Sequence, residues 1–68
     1  MADPKNIDVA ATAVATAIEK VTAHLAEING SATLAAEEKA SLANNATSAI
    51  SLLYGAASNV ATLAAVDV

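Results

Sequence analysis

The sequence predicts an all-α fold: an antiparallel hairpin of two long helices that packs with further copies into a homo-oligomer or a helical, ribbon-like polymer. Three observations predict it. Apolar residues recur at alternating steps of four and three in two runs separated by Asn29-Gly30, a spacing of about 3.5 residues that keeps one face of a helix against another helix. Alanine fills 20 of 68 positions, Phe and Trp are absent, and Tyr54 is the one aromatic; such small side chains fill a core poorly but let helices approach closely. Residues 40–66 carry no Asp, Glu, Lys, Arg or His, so a helix there has more neutral surface than one partner within so short a chain can cover.

The chain, residues 1–68, reads as a single domain. A first helix is expected over about residues 4–29. Asp3-Pro4 is a start signal, because Asp accepts a backbone N–H at the cap and Pro suits the first helical position. Ile7, Ala11, Val14, Ile18, Val21, Leu25 and Ile28 form its apolar seam. The far side carries Thr12, Thr16, Glu19, Lys20, Thr22, Ala23, His24 and Glu27, all polar or small. Asn29-Gly30 should end this helix, with Gly30 in the left-handed conformation that closes a helix cheaply. The turn is placed at about residues 30–33. Thr33 then caps a second helix over about residues 34–66, and Glu37 and Glu38 set negative charge at the positive end of its dipole.

In that second helix Leu42, Ala46, Ala49, Leu53, Ala56, Val60 and Leu63 step by four and three and are assigned to the seam inside the hairpin. A second row, Ile50, Ala57, Ala61 and Ala64, is assigned to contacts between copies. Gly55 lies within the helix, where glycine costs about 1 kcal/mol relative to alanine. It reads as a point of close helix approach, with a hinge as the sharper alternative. Asp67 opposes the dipole at the C-terminal end, so the helix should stop before it.

Composition excludes several functions. A net charge of −4 and a pI near 4.4 leave three lysines, Lys5, Lys20 and Lys39, too few for a phosphate-binding surface, so nucleic acid is not an expected partner. With no cysteine and one histidine, neither disulfides nor a metal cluster can stabilise so small a core, which leaves oligomerisation. No cofactor is expected. Nor is an enzyme: His24 sits mid-helix beside Lys20 and Glu27, where the backbone N–H groups an oxyanion hole would need are committed to the helix. His24, Glu37 and Glu38 are instead candidate pH-sensing groups, since seven carboxylates against three lysines leave a repulsion that acid relieves. Residues 40–66 exceed the roughly 20 that a membrane span requires. However, nine Ser, Thr and Asn side chains from Ser41 to Thr62 make the stretch wet for a span, and no basic residue follows it. Membrane insertion is therefore the less favoured partner reading. Met1-Ala2-Asp3-Pro4 lacks the basic and apolar regions of a secretory signal, so a cytoplasmic location is expected.

Asn45-Ala46 with Ala49, Ala56-Ala57, Val60-Ala61-Thr62-Leu63 and the ending Val66-Asp67 resemble the C-terminal half of R-body proteins of the RebB type, with their Asn-Ala repeats and Val-Ala-x-Leu close. Ile50-Ser51-Leu52-Leu53 stands where that family has a Gln-rich run. The resemblance implies a structural subunit of an insoluble ribbon that switches between coiled and extended forms, often with pH. The expected function is thus homopolymeric assembly. A small membrane-active or membrane-inserted helical protein and a soluble interaction module forming a discrete bundle are the alternatives.

Overall fold

Residues 5–68 are described by the computed structural model. Two helices form where the heptad runs lie, α1 (Asn6–Asn29) and α2 (Ala36–Ala64), and there is no strand among the described residues. At 1.5 Å per residue they are about 36 and 44 Å long. The start signal at Asp3-Pro4 lies outside the described residues. Within them, Lys5 stands at the N-cap of α1 without a side-chain capping bond.

The turn differs from expectation in two ways. Gly30 has φ −89° and ψ 0°, so it is not left-handed; its N–H donates to the Ala26 carbonyl at 3.0 Å, and the Ser31 N–H donates to that of Ile28 at 3.2 Å. These bonds occupy two of the last four carbonyls of α1 without a reversal of hand. Thr33 does not cap α2, whose N-cap is Ala35 with no side-chain bond. The organising group is Ser31, whose Oγ accepts the N–H groups of Thr33 at 3.2 Å and Leu34 at 3.3 Å. A serine hydroxyl bonded to backbone two and three residues on is a local turn that competes with helix. It delays α2 to Ala36.

The helices pack against one another in antiparallel fashion, and their far ends are tied by Lys5 Nζ to Asp67 Oδ1 at 3.2 Å. That pair is largely exposed and contributes little. As its charge requires, Asp67 lies beyond the end of α2. The result is a layer one helix thick, 50 × 24 × 10 Å, with a radius of gyration of 15.8 Å, against about 11 Å for a compact chain of this length. Its core is slight: Ile28 at 7% exposure and Ala46 at 9% are its buried hydrophobic residues, both in the half nearer the turn.

Candidate self-association surface

Side-chain burial shows which apolar row of each helix faces the other. On α2 the inward row is Lys39, Ala43, Ala46, Ile50, Leu53, Ala57 and Val60, each half-buried or buried and stepping four, three throughout. Ile50 and Ala57, read from sequence as contacts between copies, therefore lie inside the hairpin, while Ala61 and Ala64 are exposed. The reverse holds for Leu42 and Leu63, assigned to the inner seam but exposed at 38% and 62%; Ala49 and Ala56 beside them are half-buried. Both candidate rows share Ala46, Leu53 and Val60. Choosing the row with Ile50 puts a large β-branched side chain inside and rolls the leucine row outward by about 50°, half of one residue's turn.

On α1 the inward set is Ile7, Ala10, Val14, Ala17, Ile18, Val21, Leu25 and Ile28. Ala11, expected in the seam, is exposed, and Ala10 takes its place. A helix of 3.6 residues per turn drifts by about 20° per heptad against a strict seven-residue repeat, enough to exchange neighbouring positions along the seam.

Beside the inward row of α2 runs a second row at the same spacing: Leu42, Asn45, Ala49, Leu52, Ala56, Asn59 and Leu63. Leu52 is 76% exposed. No charge lies between Lys39 and Asp67. The outermost positions, Ser41, Ser48, Gly55 and Thr62, are small, and a side chain added at Gly55 would meet nothing within 4 Å. Gly55 is therefore not a point of close approach within the hairpin, and α2 continues through it unbroken. The hydroxyls of Thr47 and Thr62 donate to the carbonyls of Ala43 and Ser58 at 2.9 and 3.1 Å. That satisfies the hydroxyl protons within the helix.

The candidate titrating groups do not converge. His24 Nδ1 lies 2.8 Å from Glu27 Oε2 on the surface of α1, whereas Glu37 and Glu38 are exposed in the first turn of α2. No group of three or more metal-ligating side chains is present among the described residues. At the open end a cleft of about 630 Å³ is lined by Ile7, Leu63 and Val66 with the Lys5–Asp67 pair at its edge. No described helix is long and apolar enough to cross a membrane. No family model, curated protein or solved structure matches the chain.

Proposed function

We propose that this protein is a structural subunit that assembles with copies of itself, closing its open layer against others to build a ribbon or filament of the R-body kind. One observation carries the reading: the hairpin exposes 5122 Å², whereas a folded monomer of 6.7 kDa exposes about 3,900 Å². The surplus of roughly 1,200 Å² is more than one partner's share of a standard interface, about 800 Å². A core of Ile28 and Ala46 is also too small to hold a two-helix layer on hydrophobic burial alone. Self-contact supplies the missing burial.

The test is a dilution series followed by sedimentation velocity and circular dichroism, with electron microscopy at the concentrated end. The expected result is a species far heavier than 6.7 kDa, with helicity and thermal midpoint rising with protein concentration, as mass action requires of a fold completed by its neighbours. Microscopy then separates ribbons from a discrete bundle. A helical chain that sediments as a single copy at every concentration, with an unchanged midpoint, overturns the proposal.

A further inference from the structure

The second row of α2 reads almost identically in both directions: Leu42, Asn45, Ala49, Leu52, Ala56, Asn59, Leu63. Its centre is Leu52, with alanines, asparagines and leucines following outward on either side. Such mirror order lets the row match itself when turned end for end. Resting on the self-assembly reading, we infer that α2 docks through this row onto α2 of a second copy, antiparallel, about a twofold axis near Leu52. Leu52 then meets its counterpart, and Asn45 of one copy comes level with Asn59 of the other to within a helical turn. A twofold contact uses the same patch on both copies. Paired asparagines inside an apolar seam set register, because any slipped alignment leaves their amides without partners.

Charge placement favours this orientation over a parallel one. By heptad position, the side of α1 that adjoins the row carries Ala10, Ala13 and Ala17 towards the open end and Lys20, His24 and Glu27 towards the turn. Parallel docking would set the Glu37-Glu38 pairs of the two α2 helices side by side. Antiparallel docking lays each charged end over the small-residue end of the other copy and opposes the helix dipoles. Area agrees. From Leu42 to Leu63 the row is about 32 Å long and too narrow to suffice alone, but the face it belongs to measures 50 × 24 Å, ample for about 800 Å² per partner.

The natural chain lacks cysteine, so single introduced thiols report contacts directly. Leu52→Cys, Asn45→Cys, Asn59→Cys and, on the opposite flank, Ser51→Cys are oxidised at a concentration where sedimentation shows assembly. Leu52→Cys should form covalent dimers alone. Asn45→Cys and Asn59→Cys should each form few alone, and at least tenfold more when mixed. Dimers of Asn45→Cys alone that match the mixture would mean parallel docking. Assembly with no crosslink above that of Ser51→Cys would place the contact on another face; either result overturns the inference while leaving self-assembly intact. Absence of assembly in the unsubstituted chain defeats the self-assembly reading itself.

Discussion

Two residues have effects that their own surroundings decide. Ser31 joins the helices through an oxygen that accepts two backbone N–H groups, and α2 begins at Ala36 with no side-chain bond from its N-cap, Ala35. Ser31→Ala should lower stability by about 1 kcal/mol, the usual net cost of deleting a hydroxyl that satisfies backbone donors of a turn, read as a lower thermal midpoint at fixed protein concentration. An unchanged midpoint would mean that water serves those donors equally well. Gly55 gives the opposite sign. It sits mid-helix with open space where a side chain would be, so Gly55→Ala should raise helix stability by about 1 kcal/mol through reduced freedom of the unfolded chain. If the midpoint rises but large assemblies are lost, the missing side chain serves a neighbouring copy rather than the hairpin.

At the scale of the helices, the contact between α1 and α2 is strongest near the turn and weak at the open end. Ile28 is its most buried large side chain, whereas Leu63 and Val66 at the far end are mostly exposed. Removing Ile28 deletes apolar contact that no other large residue can replace. Ile28→Ala should cost about 2 kcal/mol, the low end of the range for such truncations because the site lies in a thin layer that can partly collapse; denaturant unfolding at fixed concentration measures it. Leu52→Ala makes the useful contrast. In an isolated hairpin it would change stability by a few tenths of a kcal/mol, as surface substitutions do, but in an assembly it should approach the cost at Ile28. Equal stability of Leu52→Ala and the unsubstituted chain under assembling conditions would show that this leucine stays in water.

Over the whole molecule, electrostatics oppose association and shape demands it. Each copy carries −4, and stacking copies adds repulsion that salt screens, with a Debye length falling from about 10 Å at 0.1 M to about 3 Å at 1 M. Assembly should therefore tighten as salt rises. It should also tighten as pH falls towards the pI near 4.4, where the net charge passes through zero, and weaken again below it as the lysines and His24 leave the chain positive. Sedimentation across a salt series and an acid series checks both. Weakening with salt would mean that ion pairs between copies, rather than apolar contact, hold the polymer.

The amino-acid sequence by itself determined the two helices, the break after Asn29, the exit of the chain before Asp67 and the charge-free length of α2. Each depends on residues within a turn or two of one another: heptad spacing, a helix-ending pair, a carboxylate set against a dipole. Tertiary structure alone decided which way α2 is rolled. The row through Leu42 and Leu63 and the row through Ile50 and Ala57 share Ala46, Leu53 and Val60 and have the same period, so periodicity cannot choose between them. The choice rests on how side-chain volumes of α2 meet those of α1 across the layer, and it placed Ile50 inside and the leucine row outside. The same non-local packing exchanged Ala11 for Ala10 and left Gly55 in open space. The turn escaped for a different reason. Thr33 and Ser31 are both plausible caps in a string of letters, and only the path of the backbone brings the Ser31 hydroxyl within reach of two N–H groups.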